Sequence, residues 1–127
     1  MRLRGASAAL VILVLAGCGG ATPREEVEAT VTRFAEASAQ KDYQMLCDQL
    51  LAPALVQNVE QYGLPCELAI KQGLGDVREP KLTLGKITVK DDRASAEVTT
   101  QAKGQMGSTD TLDLRRVSGE WRIAALG

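Results

Sequence analysis

At Pro80 the spacing of apolar residues in this chain changes from every third or fourth position to every second. Upstream, Val27, Val31, Phe34 and Ser38 follow one another at intervals of 4, 3 and 4, with Ala35 beside them and Glu25, Glu28, Arg33 and Glu36 on the opposite side. That stripe predicts an amphipathic helix from Pro23 to about Gln40. Thr22 supplies a capping hydroxyl, Pro23 suits the first turn, and Glu25 lies near the positive end of the helix dipole. Lys41-Asp42 breaks the pattern, and Asp42 can cap a second short helix through Tyr43, Met45, Leu46 and Leu50. Pro53 punctuates, with a further helical turn or two from Ala54 to Gln61. Gly63 and Pro65 break again before a third helix, Cys66 to Gln72, which ends at Gly73-Leu74-Gly75. Downstream of Pro80, Leu82 and Leu84 alternate with polar residues, as do Ile87 and Val89. The parity slips near Gly85, which predicts a bulge. Asp91-Asp92 is a turn, and Ala94, Ala96 and Val98 carry a second strand to Ala102. A looser connection, Gly104 to Ser108, leads to Leu112 and Leu114 on a third. Ser118-Gly119-Glu120 turns into Trp121, Ile123 and Ala125 on a fourth. Strands in series with short turns form an antiparallel meander with one buried face. Three helices followed by such a sheet make an α+β domain.

The beginning of the chain has a different character. Met1-Arg2-Leu3-Arg4 carries two positive charges, and Ala6 to Gly17 is a run of 12 residues without a charge. A basic start, a short apolar stretch and small residues after it have the layout of an export signal. The run falls short of the ~20 residues that a membrane-spanning helix needs. A buried N-terminal helix is the competing reading. Leu15-Ala16-Gly17-Cys18 resembles the lipobox of bacterial lipoproteins at all four positions, a resemblance confined to residues 1–18. It implies that the Cys18 thiol receives a diacylglycerol group and that the signal is cut just before it. Two acyl chains hold a protein to a bilayer stably, whereas one does so only marginally. The expected organisation is a lipoprotein signal peptide over 1–17, the lipidated cysteine and a short linker over 18–22, and one α+β domain over 23–127. Four linker residues reach at most ~14 Å, which keeps the domain near the bilayer. The expected location is the cell envelope, on the outer face of the cytoplasmic membrane, or on the outer membrane where the organism has one.

Processing would leave 110 residues, the size of one domain. Without Arg2 and Arg4, 13 of the 15 basic residues remain against 16 acidic ones, a formal net charge of −3. A mildly acidic chain without a basic run argues against nucleic acid, whose phosphates require clustered Lys and Arg. One Phe, one Trp and two Tyr offer little for base stacking. With Cys18 lipidated, Cys47 and Cys66 have a single pairing open to them, and outside the cytoplasm thiols are usually oxidised. The alternative is two unpaired buried cysteines. A metal site is disfavoured, because the chain has no histidine and two thiolates alone do not hold zinc. No cofactor is implied.

Taken together, residues 23–127 resemble the nuclear transport factor 2-like superfamily, a cone-shaped fold in which a curved four-stranded sheet wraps N-terminal helices. VEATVTRFAEASAQKDYQMLCDQL, a long helix breaking into a second, and the closing pair LDLRRVSGEWRIAAL carry the resemblance. Many members have a short strand pair between the second and third helices, whereas Pro53–Gly63 here is mostly helical. The superfamily includes isomerases, dehydratases and cyclases beside non-enzymatic binding modules, so the fold leaves activity open. Its enzymes work with a histidine, aspartate or tyrosine inside the cone. In this chain the weak catalytic candidates are Asp42 and Tyr43, with Asp48 nearby. A buried aspartate beside a tyrosine donor can take a proton alpha to a carbonyl. The blander roles are a helix cap for Asp42, a core or rim aromatic for Tyr43 and a solvated acid for Asp48. Trp121 and Tyr43 are weak ligand-binding candidates, although such a tryptophan is more often the largest core residue of a small domain. Arg115-Arg116 suits an anion or a salt-bridged sheet face. The expected function is a non-enzymatic lipoprotein domain that binds an envelope protein partner or a small apolar ligand. The alternative is a small cone-fold enzyme of isomerase or dehydratase type using Asp42 and Tyr43. An interior lined by apolar side chains favours the first, and a carboxylate beside Tyr43 at its floor the second.

Overall fold

The computed structural model describes residues 20–126; the expected signal segment and Cys18 lie outside them. Helix α1 (Pro23–Gln40) begins as its residues dictate: Thr22 Oγ1 accepts from the Glu25 backbone N–H at 3.2 Å, with Pro23 in the first turn and Glu25 and Glu26 beside it. The helix buries Val27, Thr30, Val31 and Ala37 and half-buries Phe34. Thr30 sits in that face because its Oγ1 donates to the Glu26 carbonyl at 3.1 Å. Lys41 ends the helix in the left-handed conformation (φ 56°). Asp42 then caps α2 (Tyr43–Met45), its Oδ1 accepting from the Met45 N–H at 3.1 Å.

Helix α2 runs straight into a π-helical turn, Leu46–Leu50, closed by the Leu51 N–H on the Leu46 carbonyl at 2.9 Å. Leu51 forms a parallel bridge with Ile123. Helices α3 (Pro53–Glu60) and α4 (Cys66–Leu74) follow. The described chain therefore has one more helix than the three expected: the stretch after Pro53 is a helix of 8 residues, although it buries none of them fully. Helix α4 also runs two residues past Gln72, through Gly73 to Leu74. Cys47 and Cys66 are disulfide-bonded, with Cα atoms 6.1 Å apart, which joins the π-turn to the start of α4.

Strands β1 (Lys81–Lys90), β2 (Arg93–Gln101), β3 (Ser108–Val117) and β4 (Glu120–Leu126) form one open antiparallel sheet in chain order. The expected slip is present: the β1–β2 register shifts between Leu84 and Ile87, around Gly85. A second shift, between Asp113 and Leu114 in the β3–β4 ladder, was not visible in the alternation. Bulges bend a strand and increase its twist. One face of the sheet contributes Ile87, Ala94, Ala96, Val98, Leu112, Leu114, Trp121 and Ile123 to a core shared with Val27, Val31, Leu51 and the disulfide. A smaller cluster of Ala37, Leu46 and Leu50 takes in Tyr43 and Met45.

Candidate functional site

Side-chain contacts at both ends fix α1 against the sheet and α4. Near its start, Glu26 Oε2 accepts from Trp121 Nε1 at 3.1 Å and lies 3.5 Å from Arg116 Nη2. The Arg116 guanidinium also stands over the Trp121 ring, 4.7 Å from its centroid, as a cation–π pair. Near its end, Lys41 Nζ donates to the Gly75 carbonyl at 2.9 Å, which ties α1 to the close of α4.

Between the last two turns of α1 and the open ends of β1, β2 and β3 lies a cavity of about 270 Å³. Helix α1 lines it with Phe34, Ala35 and Ser38, because these follow Val27 and Val31 on the inward stripe. The end of α4 and the segment after it add Leu74, Val77 and Pro80, and β1 adds Lys81 and Leu82. Met106, on the β2–β3 connection, stands at its edge and is 96% exposed. The wall is mostly apolar. Thr100 and Ser108 satisfy each other at 3.0 Å, and the Lys103 N–H donates to the Arg78 carbonyl at 2.9 Å, bracing the rim. Ser38 differs: its Oγ is buried and has no hydrogen-bond partner. A desolvated hydroxyl left unpaired costs about 1–3 kcal/mol.

The residues singled out from the sequence lie elsewhere. Asp42 is exposed and engaged as a cap, and it shares a shallow surface depression with Asp48, also exposed. Tyr43 is half-buried in the small cluster behind Phe34 and Leu74 and does not line the cavity. Trp121 is buried in the core at the other end of α1, where it borders a smaller, more polar pocket with Glu26 and Arg33. Arg116 is committed to Glu26 and Trp121, while Arg115 faces solvent. Among the described residues no three His, Cys, Asp or Glu side chains gather to hold a metal ion, and no helix is long and apolar enough to cross a membrane. The cavity residues went unrecognised as a set because they come from three separate stretches, 34–38, 74–82 and 100–108. The signal available was Ser38, a hydroxyl that continues the stripe of Val27, Val31 and Phe34.

Helices laid on one face of a four-stranded antiparallel meander, with a cavity at one end, are the marks of the nuclear transport factor 2-like fold, and this chain has that fold. No protein-family model matches the chain, and no curated protein sequence matches it. Its likenesses are to solved structures. An NTF2-like protein of unknown function from Shewanella baltica shares 19% identity at a TM-score of 0.59, over 84% of this chain and 94% of that one. A second such protein, from Silicibacter pomeroyi, shares 15% at 0.57, over 81% and 91%. A de novo designed NTF2 fold protein, NT-9, shares 16% at 0.56, over 84% and 87%. Identities this low establish the fold alone.

Proposed function

We propose that this chain is a lipoprotein anchored to a membrane through Cys18, whose domain binds a small, largely apolar ligand without transforming it. The observation that carries the binding role is the apolar cavity under the end of α1, lined by Phe34, Leu74, Val77 and Leu82. Ligand sites of this type combine an apolar lining with a few placed polar groups. The anchor rests on Leu15-Ala16-Gly17-Cys18 after its apolar run. An enzyme of the isomerase type would need a base facing the bound molecule, whereas Asp42 faces solvent and holds the Met45 N–H.

The test takes the full chain expressed in a lipoprotein-processing bacterium. Wild-type protein should fractionate with membranes and begin, by mass spectrometry, at a diacylglycerol-modified residue 18; Cys18→Ser should do neither. The isolated domain should bind a small amphiphile such as 1-octanol, seen as amide shifts at Phe34, Ser38 and Leu82. Unmodified Cys18 in the wild type overturns the anchor, and absence of shifts at saturating octanol overturns the binding role. Turnover of a ketone or enol substrate that Asp42→Asn abolishes would install the enzyme in its place, since asparagine keeps the cap.

A further inference from the structure

From the placement of the cavity we infer that it takes its ligand from the aqueous compartment and not from the bilayer to which the chain is tethered. The inference rests on the lipoprotein reading above and adds the route and size class of the ligand.

The tether enters at the start of α1, and that end of the molecule is well defined. Glu26 is bonded to Trp121, which follows the Ser118-Gly119 turn between β3 and β4. The Arg116 N–H donates to the Asp92 carbonyl at 2.8 Å, which brings the β1–β2 turn to the same end. In a meander the β2–β3 connection must lie at the opposite end, and there the cavity opens, edged by Met106. Phe34 lies eleven residues beyond Pro23, about 17 Å further along the helix at 1.5 Å per residue. With a linker of four residues holding its start to the membrane surface, the mouth lies at the end of α1 away from the tether.

The volume sets the size class. At about 270 Å³, the cavity falls just under the ~300–1,000 Å³ of sites for drug-sized ligands. That suits a compact amphiphile with its body against Phe34, Leu74, Val77 and Leu82.

The test uses the lipidated full chain in phosphatidylcholine vesicles, with one nitroxide at Met106→Cys or at Ser118→Cys; both positions are exposed, and the native cysteines of the domain are in a buried disulfide. Depth read from relaxation by lipid-soluble oxygen and a water-soluble nickel chelate should place position 118 nearer the headgroups than position 106. Octanol should bind in this vesicle-bound state, with amide shifts at Phe34 and Leu82. Native mass spectrometry should find no phospholipid held one-to-one by the domain. Position 106 as close to the lipid as 118, or a stoichiometric phospholipid, overturns the inference while leaving anchor and binding intact. An unmodified Cys18 or absent octanol binding overturns the underlying reading and this one with it.

Discussion

Thr30 and Ser38 put two hydroxyls on the inward side of the same helix and meet different fates. Thr30 is buried in the core and spends its proton on the carbonyl one turn back; Ser38 Oγ is buried with nothing to bond. An unpaired buried hydroxyl is a liability. Ser38→Ala should therefore stabilise the ligand-free domain by about 1 kcal/mol, from relief of the unpaired group with a few tenths more from alanine's helix propensity. Urea denaturation measures this; an unchanged or lower midpoint would mean that solution water already satisfies Ser38. At this scale the sequence was informative wherever chemistry is local. The caps by Thr22 and Asp42 were legible because both the cap and the N–H that it serves lie within three residues. The union of Glu26 with Trp121 and Arg116 was not, because it joins positions 95 and 90 residues apart and no spacing rule reaches that far.

Elements were legible to the same extent and for the same reason. The helix–sheet order, the bulge at Gly85 and the turns at Asp91-Asp92 and Ser118-Gly119 all follow from periodicity and from residues that tolerate positive φ; Asp91, Ser118 and Gly119 adopt 53°, 50° and 81°. The π-turn was illegible. Nothing in Leu46–Leu50 breaks a regular helix, and the turn sits where Leu51 and Ala52 leave to meet Ile123, with the Ala52 N–H on its carbonyl at 2.7 Å. Gly75 is a comparable case. It reads as a stop signal in the sequence, and the structure adds that a Cβ there would lie 2.8 Å from the Lys71 carbonyl oxygen. That oxygen is backbone and cannot swing away, so Gly75→Ala should shift the end of α4 and cost about 1–3 kcal/mol, the usual penalty for overpacking. Gly73, in the same helix with open space around it, is the control: Gly73→Ala should be neutral or stabilising. Equal effects at the two positions would refute the steric account.

For the molecule as a whole, the disulfide is a contribution that can be tested by itself. It bridges a sequence separation of 19 and its sulfurs lie in the main core. Replacing both cysteines by alanine should cost on the order of 3 kcal/mol by the chain-entropy relation. The melting temperature should fall by more than about ten degrees, at ~4–8 °C per kcal/mol for a domain of this size, which calorimetry would register directly. A drop of one or two degrees would mean that the surrounding packing, and not the covalent link, holds the π-turn to α4. The bridge also spans α3, a helix with no fully buried residue, and the turn beyond it, where Tyr62 is 83% exposed. A peptidase that attacks beside aromatic residues would meet its most accessible bond there. The cut chain would nonetheless stay one molecule, its halves joined through Cys47 and Cys66, and would separate into two bands on a gel only after a reductant is added. Outside the cell, such a nick would be a scar and not a break.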